Sequence, residues 1–145
     1  MKIRFAIALT AVLTAFGVGF SFNFQPAQSA ETAAAKCAVQ TFPKAYAEAA
    51  AVFVGEVVGE RKDGDVRTFD FQVEKYWKGA DSKRVRVHVY ETARFQAWFK
   101  KGGKYLIYAP ADDAGKLRVY RCSRSRDAED AAEDLQKLGK GKIPR

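Results

Sequence analysis

The sequence predicts a small all-β domain that ends in a helix, and three observations support this fold class. Alternating apolar and polar residues recur in short runs between residues 52 and 122. Turn-forming residues, including an Asp-Gly pair, separate these runs. After residue 127 the apolar residues take up helical spacing. The chain has 145 residues, which is the length of one domain with a short leader.

The first two strands are predicted as a hairpin. Residues 52–60 are rich in β-branched side chains, and Gly55 and Gly59 within them indicate a bulge or a bend. The Asp-Gly pair at residues 63–64 is a strong signal for a tight turn. Residues 69–74 then alternate, which places the apolar side chains of the second strand on one face.

Three further strands complete the predicted sheet. Residues 84–90 alternate valine with polar side chains, and residues 105–109 are an apolar run typical of a strand buried on both faces. Residues 117–122 alternate again. Between the third and fourth strands, residues 92–103 break the pattern, so we expect a loop or one helical turn packed by its aromatic side chains. Five strands with short turns favour a barrel, and a two-sheet sandwich is the alternative that the pattern leaves open.

Helices are predicted at both ends of the strand region. Residues 42–50 can form one or two helical turns, because proline is tolerated in a first turn. At the C-terminus we expect Asp127 to cap a helix that Gly139 terminates, and the tail at residues 140–145 to be basic and frayed. The apolar stripe of this helix follows i, i+3, i+4, i+7 spacing through Ala128, Ala131, Ala132, Leu135 and Leu138.

The N-terminus has the pattern of an export signal. Lys2 and Arg4 precede an uncharged apolar run, and small residues follow it. We therefore predict a signal peptide at residues 1–30, a disordered lead at residues 31–36 and one domain at residues 37–139. The protein would then be secreted or periplasmic. A membrane anchor formed by an uncleaved signal is the alternative, because the apolar run approaches the length of a membrane span.

The cysteines of the chain, Cys37 and Cys122, bracket nearly all of the strand-like sequence, and the chain has no other thiol. In an oxidising compartment this pair predicts one disulfide bond. Such a bond would close a loop of about 86 residues and contribute roughly 4–5 kcal/mol to stability in the loop-entropy description.

Charge and residue types favour binding over catalysis. The chain has 25 basic and 17 acidic residues, and its net charge of +8 falls to +6 without Lys2 and Arg4 of the leader. This charge suits an anionic surface or an acidic protein outside the cell better than nucleic acid. The single histidine lies among arginines and lacks the other ligands of a zinc site, and Ser123 and Ser125 have no neighbouring base. We therefore predict no catalytic residue, no metal site and no cofactor, and a candidate binding face on the third strand formed by Arg84, Arg86, His88 and Tyr90.

The stretch from Cys37 to Cys122 resembles the family of tissue inhibitors of metalloproteinases, and its bacterial relatives in particular. A cysteine near the mature start and four phrases in order carry the resemblance: AAAVFVGEVV at 49–58, FQVEKYWKG at 71–79, GGKYLIYA at 102–109 and RCSRSR at 121–126. The resemblance implies a five-stranded barrel of the oligonucleotide/oligosaccharide-binding (OB) type, as in netrin-like modules.

The resemblance also implies a function. In the animal inhibitors, the mature protein begins with a cysteine whose α-amine and carbonyl oxygen chelate the catalytic zinc of the target protease. The matching position is Cys37, and Ala38 and Val39 complete the inhibitory edge, so the predicted partner is a protein of the zinc metalloprotease class. Two features differ from the family pattern: Val39 stands where a second cysteine is usual, and residues 31–36 separate the predicted cleavage site from Cys37. The alternative function is therefore a non-inhibitory envelope or extracellular interaction module that uses the basic face.

Overall fold

The computed structural model describes residues 38–145 and is mostly β, with a C-terminal helix as the sequence predicts. The helices are α1 (Phe42–Glu48) and α2 (Ala132–Leu138), and a 3-10 turn at Glu129–Ala131 precedes α2. The strands are β1 (Ala51–Asp63), β2 (Val66–Lys78), β3 (Arg84–Tyr90), β4 (Lys104–Ala109), β5 (Arg118–Val119) and β6 (Arg126–Asp127). They form one curled sheet in the order β5-β3-β2-β1-β4-β6, in which only the β3–β5 pair of the described strands is parallel.

Strand β1 is bent, as its two glycines predict. It pairs with β2 along nearly its whole length and with β4 over residues 51–56. The register of the β1–β2 pair shifts at Gly55 and again at Gly59. A Cβ atom at Gly55 would lie 2.8 Å from the carbonyl oxygen of Gln72, so a side chain there would force the strands apart. These bends allow one strand to serve two neighbours in a curled sheet.

The predicted β1–β2 hairpin is confirmed, and its turn consists of Gly64 and Asp65. Asp63 still belongs to β1, because it pairs with Val66. Gly64 has a φ of 56°, in the left-handed region that glycine adopts at no steric cost. The turn signal in the sequence therefore locates the hairpin to within one residue.

The main core lies on one face of the sheet and contains a cluster of aromatic rings. Phe69 and Phe71 of β2 meet the ring of Phe99 edge to face, with centroids 5.2 and 5.5 Å apart. Phe99 belongs to the loop at residues 92–103, and its ring lies 4.9 Å from that of Tyr105 in β4. The loop contains no helix and is packed by its aromatic side chains, as predicted.

Strand β4 is buried on both faces, which confirms the prediction from its apolar run. Its odd-numbered residues face the main core, whereas Leu106 and Tyr108 face a second cluster on the other side of the sheet. Ala45 of α1, Ala49 after it and Ala131 of the 3-10 turn belong to this second cluster. The two helices therefore cover the outer side of the sheet at β1 and β4.

The sheet has six described strands, not the predicted five. The additional strand, β6, pairs with β4 and contains Asp127, which we had expected to cap the C-terminal helix. Helix α2 instead begins at Ala132 without a side-chain cap, and it ends at Gly139 as predicted. The prediction for Asp127 was wrong because the backbone of β4 at Tyr105 and Leu106 needs partners on its outer side, and the chain supplies them there.

Strand β5 is shorter than the predicted alternation over residues 117–122. It lies between β3 and the residues that follow β4. The N–H of Arg118 donates to the carbonyl oxygen of Pro110 at 2.9 Å, and Ala111 forms an antiparallel bridge with Leu117. Strand β5, at one end of the sheet order, therefore approaches the chain that follows β4.

The C-terminal tail is docked, and the prediction that it frays was wrong. Lys142 exchanges both backbone hydrogen bonds with Tyr76 of β2, at 2.7 and 2.8 Å, and the N–H of Arg145 donates to Asp81 at 3.1 Å. The β2–β3 pairing runs only as far as Gln72 of β2. The tail therefore covers a part of β2 that β3 does not reach.

The predicted signal peptide, the predicted lead at residues 31–36 and Cys37 lie outside the described residues, so export and cleavage stay predictions. Within residues 38–145, none of the helices has the length and apolar character needed to cross a membrane.

Candidate binding surface

The predicted binding face lies on the outer side of β3. Val87 and Val89 are fully buried in the main core. Because side chains alternate across a strand, the opposite side carries the four predicted residues Arg84, Arg86, His88 and Tyr90. The two arginines and the tyrosine are exposed, and the histidine is half-buried.

Strand β2 supplies a counter-charge to this face. Asp70 lies opposite Arg86 in the β2–β3 register and accepts a hydrogen bond from Arg86 Nε at 2.7 Å. This hydrogen bond is the main reason that the pKa of Asp70 is lower than usual. Both side chains are exposed, so the pair contributes little to stability. It does neutralise one of the two predicted arginines.

The surroundings of His88 disfavour its charged form. Its partial burial lowers its pKa most, and the positive charges of Lys116 and Arg86 lower the pKa further against a smaller opposing effect of Asp112. The imidazole Nδ1 lies 3.2 Å from the hydroxyl oxygen of Thr68. His88 therefore contributes a polar group to the face in an environment that opposes its positive charge.

Arg118 of β5 and Tyr120, which directly follows the strand, add two residues to this face that the predicted face did not include. Arg118 lies beside His88 in the parallel register. Its guanidinium carbon is 4.1 Å from the ring centroid of Tyr90 and 5.2 Å from that of Tyr120. We call Tyr90, Arg118 and Tyr120 the tyrosine clamp. Tyr90 is 39% exposed and Tyr120 is 45% exposed. The alternation around buried Val119 indicates that its neighbours point outwards, but the non-local pairing of β5 with β3 leaves no signal in the sequence.

An apolar groove of about 320 Å³ opens beside the tyrosine clamp. Its lining includes Tyr90, Thr92, Phe95, Val119, Tyr120 and Cys122. Cys122 is not a free cysteine in the structure. Its predicted partner, Cys37, lies outside the described residues, so the Cys37–Cys122 bond stays a prediction.

The predicted inhibitory edge is described only from Ala38 onwards. Ala38 is exposed, and Val39 is 52% exposed. The next residue is fixed, because the carbonyl oxygen of Gln40 accepts a hydrogen bond from Arg124 Nη1 at 2.9 Å. Zinc chelation would depend on Cys37, which lies outside the described residues.

Arg124 also holds a buried carboxylate that the sequence analysis missed. Its Nε and Nη2 donate to the two carboxylate oxygens of Asp134 at 2.7 and 2.6 Å, and the Tyr108 hydroxyl donates to Asp134 at 3.1 Å. Burial alone would raise the pKa of Asp134, but these hydrogen bonds and the charge of Arg124 keep the pKa below its ordinary value. Burial raises the pKa of Tyr108 well above its ordinary value. The cluster thus connects α2 to β4 through Tyr108, and to the residue after Val39 through the bond from Arg124 to Gln40.

The two serines of the RCSRSR segment hold the backbone. The hydroxyl of Ser125 accepts a hydrogen bond from the N–H of Tyr108 at 2.9 Å and donates to the Tyr108 carbonyl at 3.3 Å. The hydroxyl of Ser123 accepts from the N–H of Ser125 at 3.3 Å. Within the described part of the chain, both hydroxyls thus bond to main-chain groups, and that of Ser125 connects the segment before β6 to β4.

A second buried carboxylate, Glu91, organises the loop beside the groove. Lys62 Nζ, Arg67 Nε and the N–H of Ala97 each donate to it at 2.9 Å. The hydrogen bond from Lys62 is the largest cause of the fall in the Glu91 pKa to about 2. Arg67 also pairs with Glu60. No local pattern distinguishes Glu91, because it follows β3 as an ordinary charged residue.

Comparisons with known proteins add no assignment to this surface. No model of a known protein family matches the chain, and no curated protein matches it. Among the described residues, no group of three or more His, Cys, Asp or Glu side chains is placed to hold a metal ion.

Proposed function

We propose that the protein is an exported binding protein, without catalytic activity, that contacts a protein partner through the outer face of β3 and β5. The tyrosine clamp carries this proposal. Two exposed tyrosines hold a guanidinium between them beside an apolar groove. Tyrosine and arginine are among the residues that dominate the binding energy at protein interfaces, and an exposed aromatic cluster has no evident role in folding.

The strand order supports an OB-type barrel behind this surface. Strands β1, β2 and β3 form an antiparallel meander, β1 pairs with β4, and β3 pairs in parallel with β5. The hydrogen bond from Arg118 to Pro110 connects β5 to the chain that follows β4. If β6 is an addition to the edge of β4, the other five strands have the connectivity that a closed five-stranded barrel requires. At this level the resemblance to the tissue inhibitors of metalloproteinases is part of our proposal.

Export is part of the same proposal. The leader at residues 1–30 and the predicted Cys37–Cys122 bond both fit an oxidising compartment outside the cytoplasm. Such a compartment also sets the partner class, since a basic exported protein meets acidic proteins and anionic surfaces.

Photocrosslinking in the exporting cells tests the proposed surface. Benzoylphenylalanine replaces Tyr90 in one variant and Tyr120 in another, and the control variant carries it at Gln136, an exposed position of α2. We expect the same discrete crosslinked protein from positions 90 and 120 and none from position 136. Equal crosslinking from all three positions, or none from 90 and 120, would show that this face is not the contact surface.

Inhibition of a zinc metalloprotease through Cys37, Ala38 and Val39 is the second candidate function. The observation that favours it is the exposed apolar Val39 next to a backbone that Arg124 fixes at Gln40. Chelation would use the α-amine and carbonyl oxygen of Cys37, so the active form must begin at that residue.

Three forms of the oxidised protein test the second candidate. One form begins at Cys37, one begins at Cys37 with an acetylated α-amine, and one begins at Glu31. We expect only the first form to inhibit zinc endopeptidases, because acetylation and the longer lead both remove the free amine. Inhibition of equal strength by all three forms, or none by the first form across a panel of zinc endopeptidases, would contradict this function.

A further inference from the structure

We propose that the tyrosine clamp recognises a carboxylate of an acidic peptide segment, and that an apolar side chain of the same segment occupies the adjacent groove. This inference rests on the proposed function and names the chemistry of the partner. The group that would bind the carboxylate is the guanidinium of Arg118, at the centre of the tyrosine clamp.

Arg118 differs from Arg67 and Arg124, two other partly buried arginines of the domain, in having no carboxylate partner among the described residues. Its Nε is buried and has no hydrogen-bond partner within residues 38–145, where its observed contacts are the two tyrosine rings. Three arginines elsewhere bind carboxylates, in the pairs Arg67–Glu91, Arg86–Asp70 and Arg124–Asp134. Because the Nε is buried, an anionic ligand would contact this guanidinium through its Nη groups.

The clamp restricts the kind of anion that fits. Tyr90 and Tyr120 lie against the guanidinium and reduce its freedom before any ligand binds. The N–H groups of a guanidinium lie in its plane, and a planar carboxylate can accept two of them side by side. A lysine at this position would present only a point charge. The geometry therefore favours a planar carboxylate over an anion that attracts the guanidinium by net charge alone.

The surroundings favour a peptide over a polysaccharide. Arg84 and Lys116 add positive charge to the same part of the molecule, while Asp70 neutralises Arg86. The groove beside the clamp is lined mainly by aromatic and aliphatic side chains. A sulfated or uronic polysaccharide offers anions but no apolar side chain for this groove, whereas a peptide with alternating acidic and aliphatic residues offers both.

A titration monitored by NMR of the oxidised protein tests this inference with three probes. These are a capped eight-residue peptide that alternates leucine and glutamate, its counterpart with glutamine, and heparin. We expect the glutamate peptide to shift the amide signals of Thr92 and Val119 at the groove. Loss of one bidentate carboxylate contact corresponds to about a tenfold or larger change in Kd, so we expect the glutamine peptide to bind at least that much more weakly.

Substitutions then separate the clamp from general charge. Arg118→Gln should weaken binding of the glutamate peptide about tenfold, and Arg118→Lys should restore only part of it. Arg84→Gln is the matched control, because it removes one exposed positive charge from the same face outside the clamp. Tyr120→Ser removes one ring at an exposed position, and it keeps the test valid if an Arg118 variant does not fold.

Specific outcomes would overturn the inference. These are equal losses in Arg118→Gln and Arg84→Gln, full binding by Arg118→Lys, or binding of heparin without binding of the peptide. Each would identify a general polyanion surface. Arg118→Gln is also combined with benzoylphenylalanine at position 90. If the crosslink then persists unchanged, the proposed function stands and only the carboxylate recognition fails.

Discussion

Replacement of Glu91 by glutamine should destabilise the protein strongly at neutral pH and only weakly in acid. Glutamine has the shape of the protonated carboxyl group but cannot carry the charge that Lys62 and Arg67 contact at 2.9 Å. The pKa of Glu91 is lowered from 4.5 to about 2. At 1.36 kcal/mol for each unit, this difference corresponds to about 3 kcal/mol of folding stability at pH 7. Because Lys62 is half exposed and partly screened, we expect a measured loss of about 2–3 kcal/mol.

The sign of the pH dependence follows from the direction of the pKa shift. A carboxylate with a depressed folded-state pKa contributes its full stability above its unfolded pKa of 4.5, and this stability is lost as the pH falls towards 2. Urea unfolding at pH 7 and pH 3 should therefore show a difference between wild type and Glu91→Gln that shrinks to about 1 kcal/mol at pH 3. Glu60→Gln is the matched control, because Glu60 pairs with the same Arg67 and is far more exposed. A loss below about 1 kcal/mol at pH 7, or one that is equal at both pH values, would refute the reasoning.

Three further predictions concern other described contacts. Asp134→Asn leaves the guanidinium of Arg124 without its buried counter-charge. The free energy of unfolding should therefore fall by about 3 kcal/mol or more, and the thermal unfolding midpoint by roughly 10–20 °C. An unchanged midpoint would contradict this. Burial lowers the pKa of His88 in the folded protein, so stability should fall as the pH drops below 6.5, the pKa of histidine in the unfolded chain. Urea unfolding between pH 7.5 and 5.5 should show this fall in the wild type and not in His88→Gln. Gly55→Ala should cost about 1–3 kcal/mol, because its Cβ would meet a β2 carbonyl oxygen at 2.8 Å. Gly59→Ala is its control, since the nearest atom there is a side-chain oxygen at 3.3 Å, and equal costs would be the contrary result.

The sequence predicted the elements that depend on local patterns and missed those that depend on distant partners. Alternation located β2 and β3, and runs of β-branched or apolar residues located β1 and β4. Glycines located the bends of β1 and the end of α2. The errors fall at β6, which the open edge of β4 induces, and at the docked tail, which pairs with Tyr76. Neither depends on the propensity of its own residues, so no local pattern could indicate it.

The same distinction applies to the candidate site. Period-two alternation placed the four predicted residues of β3 on one face. The arginine that completes the tyrosine clamp comes from β5, some thirty positions away, where the parallel register pairs His88 with Arg118. Both buried carboxylates were missed for a related reason. A lone Glu91 or Asp134 in a sequence is normally exposed. Cations that lie close in space but far away in the sequence offset the free-energy cost of burial: Lys62 and Arg67 for Glu91, and Arg124 for Asp134.

These two carboxylates stabilise the fold and also position the two candidate surfaces. Glu91 follows Tyr90 directly and, through the N–H of Ala97, fixes the loop that supplies Thr92 and Phe95 to the groove. Asp134 fixes Arg124, which in turn holds Gln40 beside the exposed Val39. Tyrosine and valine side chains thus remain exposed on backbone that buried ion pairs hold in place. Because a preorganised surface loses less entropy on binding, this arrangement is what an interaction module requires of its scaffold.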